Sequence, residues 1–237
     1  MHETRRLDLE KVRETIAQLY LRISERFPGS GLARLAHDLQ QVGGMVGAQA
    51  DAITRPVVWV WLLVATSVLV LGGVIVLLAG QAQTQGTPSW TDLAQGVDAI
   101  TSELALLVAL VVFLASWQTR IRRRRVVAGV RRLRELAHIV DMLQLTKDPG
   151  GIAGVSLPGT SSSPRRDLTP QELARYLDYC SEMLSLIAKL AQFYVSAFDD
   201  PEATEAVTDL EDLTDGLSRK IWQKIMILHQ EGLAARA

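Results

Sequence analysis

The chain has 237 residues, 48% of them hydrophobic and 5% aromatic, with a formal net charge of −1. Its single cysteine, Cys180, excludes a disulfide framework and a cysteine-rich metal site; set on an apolar helical face, it reads as packing material. Near-neutrality hides three zones: no Lys or Arg between Arg55 and Arg120, only basic charge over residues 120–134, and sixteen acids against nine Lys or Arg from Glu135 onward.

Residues 1–20 lack a continuous apolar core, so no cleavable signal peptide is expected. Residues 1–55 read as an N-terminal helical arm. Leu9, Val12, Ile16, Leu19, Ile23 and Phe27 recur at steps of three or four, the spacing of one helical face. The run Pro28-Gly29-Ser30-Gly31 breaks the pattern, and a second stripe follows from Leu32 to Ile53. That second stretch contains Gly43 and Gly47, a G-x-x-x-G spacing that permits close approach in lipid but weakens a helix in water. The expectation is a loosely helical lead-in.

Residues 56–80 predict the first transmembrane helix. The segment is apolar almost throughout and carries no charge. About 20 residues at a rise of about 1.5 Å cross the hydrocarbon core. Residues 81–98 read as a short external loop without a positive residue, and residues 99–118 predict a second span. The uninterrupted apolar run there covers only Leu104–Ala115, short enough for a buried soluble helix. Thr101, Ser102 and Glu103 at one end and Trp117 at the other favour the membrane. Eight Lys or Arg precede the first span and eight more follow the second. Short loops rich in Lys and Arg stay in the cytoplasm, so both termini are expected there.

Small residues recur along both spans: Ala65, Gly72 and Ala79 on the first, and Ser102, Ala105, Ala109 and Ser116 on the second. Such stripes let helices pack closely in lipid and predict a homo-oligomer. Glu103, the one ionisable residue adjoining the apolar run, reads as a headgroup-level carboxylate; in an oligomer it would ring a pore mouth. No T-V-G-Y-G-like filter lies between the spans.

Residues 119–145 predict a basic juxtamembrane helix, with Leu133, Leu136, Ile139, Val140 and Leu143 as its stripe. Eight arginines fall within residues 119–134 with no acid among them. With headgroups within reach, a nucleic-acid arm is not expected. Arg122, Arg123, Arg124 and Arg125 are instead the candidate contacts to anionic lipid, while Arg131, Arg132 and Arg134 are placed to meet acidic protein surface. Residues 146–169 form a Gly/Ser/Pro-rich linker. Its Gly150–Ser163 stretch resembles a phosphate-cradling loop only faintly, for the G-x-x-x-x-G-K-[ST] order is missing.

Residues 170–237 predict a cytoplasmic helical hairpin. Thr169-Pro170-Gln171-Glu172 carries a capping-box start, and Asp200-Pro201-Glu202 restarts the chain after a stop near Phe198. Residues 209–216 invite a calcium-loop reading, but Leu213 occupies a position that needs an oxygen ligand. The four histidines are scattered, none in a zinc-binding spacing. The expected fold is an all-α integral membrane protein with two transmembrane helices, an N-terminal arm and a C-terminal cytoplasmic bundle. The expected role is non-catalytic and without cofactor: self-assembly and binding of a cytoplasmic protein partner at a bacterial inner membrane. A helix-lined pore with a cytoplasmic gating domain is the alternative.

Overall fold

The computed structural model describes residues 7–54, 62–70, 72, 73, 76, 80, 90–147 and 168–234, and every regular element among them is helical. Five helices organise them: α1 (Leu9–Arg26), α2 (Gly31–Thr54), α3 (Trp90–Leu145), α4 (Pro170–Ala197) and α5 (Pro201–Ala234). Residues 62–70 are also helical. The chain divides into two compact units: Met1–Thr54 with Arg123–Ala237, and Arg55–Arg122.

Local chemistry sets the helix ends of the first unit. Asp8 caps α1 by accepting from the Glu10 N–H at 3.0 Å. Gly29 takes a φ of +69° in the turn that follows, a left-handed conformation that costs glycine least. The Ser30 hydroxyl then accepts from the Ala33 N–H at the start of α2. α4 opens on the expected capping box, with Thr169 and Glu172 bonded reciprocally, and ends at Ala197 beside Phe198.

One continuous core joins all five helices. Ile16, Leu19 and Ile23 of α1, Leu32, Leu39 and Val46 of α2, Val126, Val130, Leu133 and Val140 of α3, Leu177, Met183 and Ile187 of α4, and Leu210 and Ile221 of α5 belong to it. The N-terminal stretch is therefore an integral part of the bundle. α2 is a packed 24-residue helix rather than the loose lead-in that its glycines suggested. Those glycines are where α1 comes close. A Cβ on Gly43 would lie 3.3 Å from the Ile16 side chain, and one on Gly47 3.0 Å from that of Leu9.

The close contacts also define direction. Gly31 sits against Leu143 and the Ala52 carbonyl against Arg125, so α2 runs antiparallel to α3. Tyr194, late in α4, lies on Gly129, early in the bundle segment of α3. α5 runs parallel to α3, since Arg123 meets Asp200 and Lys224 meets Gln144. The bundle is an up-and-down array in which the end of α2, Arg123 of α3 and the α4–α5 turn share one end.

In the second unit, α3 begins at Trp90, inside the segment expected to be loop. Ser89-Trp90-Thr91-Asp92 has the spacing of a helix start, with a hydroxyl residue three before an acid. Among the described residues α3 is the one helix long and apolar enough to cross a membrane. Its residues Leu104, Leu106, Val108, Val112 and Phe113 are exposed. Within the first predicted span, Leu62, Leu63, Val68, Leu69 and Val70 are exposed apolar residues.

Two consequences can be measured. A Cβ on Gly129 would fall 2.5 Å from the Tyr194 ring, so Gly129→Ala should lower stability by about 1–3 kcal/mol through overpacking, read by denaturant unfolding of the full chain. Cys180 is fully buried and its thiol pKa is pushed up to about 12 by that burial. It should resist iodoacetamide at mildly alkaline pH until the protein is denatured; labelling at the rate of a free thiol in folded protein would contradict this.

Candidate functional site

The most concentrated polar chemistry of the helical unit lies where the basic segment of α3 meets the start of α5. Asp200 is the residue before α5, and its carboxylate accepts from the Ala203 N–H at 3.1 Å. Asp200 thereby satisfies one of the unpaired donors at that helix end, and Pro201 wastes none. Only 5% of the Asp200 side chain is exposed, against 36% for Arg123, so the carboxylate has given up most of its water.

Arg123 replaces that water. Its Nε donates to both Asp200 oxygens at 3.0 and 3.2 Å, its Nη2 donates to Oδ2 at 2.7 Å, and its Nη1 donates to Glu202 at 2.6 Å. A planar guanidinium fits this task because its donors lie in a fixed fork that matches a carboxylate. The hydrogen bonds from Arg123 hold the Asp200 carboxyl below the usual aspartate range, against the opposing effect of burial and with help from the Ala203 and Glu202 N–H groups. The same bonds raise the Arg123 pKa above the ordinary arginine value.

Further contacts extend the clasp. Arg125 donates to the Ala52 carbonyl at 3.3 Å, in the last turn of α2. That turn contains no basic residue of its own, so a cation from α3 supplies the positive charge that a helix C-terminus favours. Arg134 pairs with Asp209 at 3.4 Å, a long and exposed contact that contributes little. At the opposite end Lys224 donates to the backbone carbonyl and the side chain of the buried Gln144, so the last turn of α3 also receives a cation from another helix.

The arginines expected at lipid thus divide. Arg123 and Arg125 are engaged by the bundle, Arg124 is exposed, and Arg122 is half-buried. Periodicity signals the difference. Val126, Val130, Leu133, Ala137 and Val140 form the buried line of α3, and Arg123 lies three residues before it on the same face. The shorter stripe starting at Leu133 missed that register. Arg134 meets an acid as expected, while Arg131 and Arg132 are exposed.

The remaining candidates are scattered. Ala105 and Ala109 are exposed on one apolar face of α3 with Leu104, Val108 and Val112. Ala65 and Gly72 are exposed, and Ala79 lies outside the described residues. Glu103 is in the helical backbone of α3, its side chain outside what is described. Of the linker 146–169, residues 148–167 with the glycine-rich stretch also lie outside the described residues. Residues 209–216 are continuous helix. No group of three metal-ligating side chains occurs among the described residues.

The clasp predicts a pH signature. A group whose folded pKa is lowered stabilises fully above its unfolded value, about 3.9 for aspartate, and loses that contribution as pH falls through the lower folded value. Asp200→Asn keeps the cap but removes the charge, whereas Asp200→Ala removes both, the cap being worth about 1 kcal/mol. Thermal unfolding should rank wild type above Asp200→Asn above Asp200→Ala at neutral pH. The gap between wild type and Asp200→Asn should close in strong acid; a gap independent of pH would exclude the charged pair as its source.

No protein-family model matches the chain, and neither a curated protein nor a solved structure matches it.

Proposed function

We propose that the chain is a two-span membrane protein whose helical bundle stands on the cytoplasmic side and serves self-assembly and the binding of a protein partner rather than catalysis. The observation that carries this reading is the contact between Arg125 and the Ala52 carbonyl. It brings the place where the chain leaves the bundle after Thr54 within one side chain's reach of the place where it returns at Arg123. An insertion that starts and ends on one side of a bilayer crosses it an even number of times. Residues 55–122 contain two apolar stretches, 57–80 and 104–115, which supports one crossing each.

The side follows from charge. The segment 81–98 has no Lys or Arg, whereas the residues flanking both apolar stretches carry many, which favours a cytoplasmic bundle in a bacterial inner membrane. Self-assembly draws on the small residues Ala105 and Ala109, which are exposed on an apolar face of α3 and would let a second helix approach closely.

Both halves of the proposal are open to test. In a Gln85→Cys variant, a membrane-impermeant maleimide should label intact spheroplasts, with Cys180 silent as background; labelling only after permeabilisation would reverse the topology. Two differently tagged copies expressed together should co-purify in mild detergent. Recovery of one tag without the other would remove self-assembly.

A further inference from the structure

Within the helical unit, the contacts between α3 and α5 set common levels along the two helices. Arg123 meets Asp200, Arg134 meets Asp209 and Gln144 meets Lys224, so a residue of α3 lies level with one 75 to 80 positions later in α5. The exposed apolar side chains gather at one such level. Five of the eight large ones described in this unit, Met142, Leu145, Trp222, Met226 and Ile227, lie within three residues of Gln144 or Lys224. Met142 stands two residues before Gln144, and Trp222 and Met226 stand two residues either side of Lys224. Two residues turn a helix by about 200°, so these side chains point away from the α3–α5 contact. They do not cover one another within the chain, for Met142 is 61% exposed and Trp222 57%.

Exposed charges follow the same division nearer the Arg123 end. Arg131 and Arg132 are exposed on α3 and Glu205 and Asp212 on α5, and none of the four enters an ion pair among the described residues. At the spacing set by Arg123 and Asp200, Arg131 comes level with Thr208. Glu205 lies about one turn to one side of that level and Asp212 about one turn to the other, both within reach of an extended arginine.

We infer that the exposed face of α3 with Arg131, Arg132 and Met142 docks on the exposed face of α5 with Glu205, Asp212 and Trp222 in a second copy of the chain. The inference rests on the proposed self-assembly in one bilayer and names its surface. Copies anchored from the same side are related by rotation about the membrane normal, which leaves every level unchanged. Cations of α3 then meet acids of α5, and the apolar end of one face meets the apolar end of the other. The like pairings fail on charge: α3 on α3 sets arginine against arginine, and α5 on α5 sets Asp212 against Asp212. Glu135, the one exposed acid of α3 between Arg123 and Leu145, works against the contact and is outnumbered by the arginines beside it. Trp222 is the one exposed aromatic residue described in this unit, and tryptophan is a frequent interface anchor. A basic foreign protein would satisfy the acids of α5 but leave Arg131 and Arg132 unpaired, whereas a second copy serves both faces. Each copy offers one face to one neighbour and the other to the next, a heterologous contact that closes into a ring.

The test co-expresses two differently tagged copies of the full chain and measures the fraction that co-purifies in mild detergent. R131E/R132E in both copies should lower that fraction several-fold, and so should E205R/D212R, each variant unfolding at the wild-type temperature. One copy of each variant, expressed together, should regain wild-type recovery, because every α3–α5 contact is then of opposite sign. With Cys180 buried, L145C in one copy and M226C in the other should cross-link on oxidation in membranes, and neither variant alone should. Undiminished recovery in R131E/R132E, no rescue in the mixed pair, or a disulfide from L145C or M226C alone would overturn the inference. Wild type separates this failure from that of self-assembly. If wild-type copies neither co-purify nor cross-link through the cysteine pair, both fall; if they co-purify and the charge variants do too, only this interface falls.

Discussion

A carboxylate that caps a helix inside a bundle has to find a cation, and the pairing of Asp200 with Arg123 is the constraint around which this molecule is arranged. Asp200 is almost wholly withdrawn from water, and a buried carboxylate left alone would carry a large desolvation cost. Arg123 meets that cost with a fork of donors and takes Glu202 as well. The register of α3 against α5 follows, because sliding either helix by one turn would strand both charges. Arg125 then ties the end of α2 to the same stretch of α3.

This arrangement also answers an electrostatic difficulty. The start of α5 is acidic, with Asp199, Asp200, Glu202 and Glu205 in seven residues, and it shares its end of the bundle with the points where the chain departs toward its apolar segments. Such a cluster repels itself. Arg123 neutralises part of it from within, while Arg124, turned outward, keeps its charge free of the clasp. Adjacent arginines thus do different work because a helix rotates neighbouring side chains by about 100°.

Tyr194 shows the same coupling in a neutral form. Its ring fills the space above Gly129, and its hydroxyl donates to the Gln49 side chain, so α2, α3 and α4 meet at one aromatic residue. Glycine lowers helix propensity, so Gly129 costs the long α3 some local stability. Its role is the close approach that any side chain would block. Gly43 and Gly47 serve α1 in the same way, which makes the G-x-x-x-G spacing a packing device inside the bundle.

Much was determined by the sequence alone, because it depends on neighbours in the chain. The stripe of α1, the Thr169–Glu172 capping box, the stop near Phe198, the Asp200-Pro201 restart and the burial of Cys180 follow from spacing and local hydrogen bonding, and all were legible. So was the apolar, charge-free character of residues 104–115. The tertiary structure alone decided what depends on distant pairs. Nothing local says that the N-terminal arm joins the core, that Gly129 receives Tyr194 across 65 positions, or that Arg123 spends its charge on an acid 77 residues away. Periodicity states which face of a helix is buried, but only packing states against what, and a charge on that face acquires its role from the partner it is brought to meet.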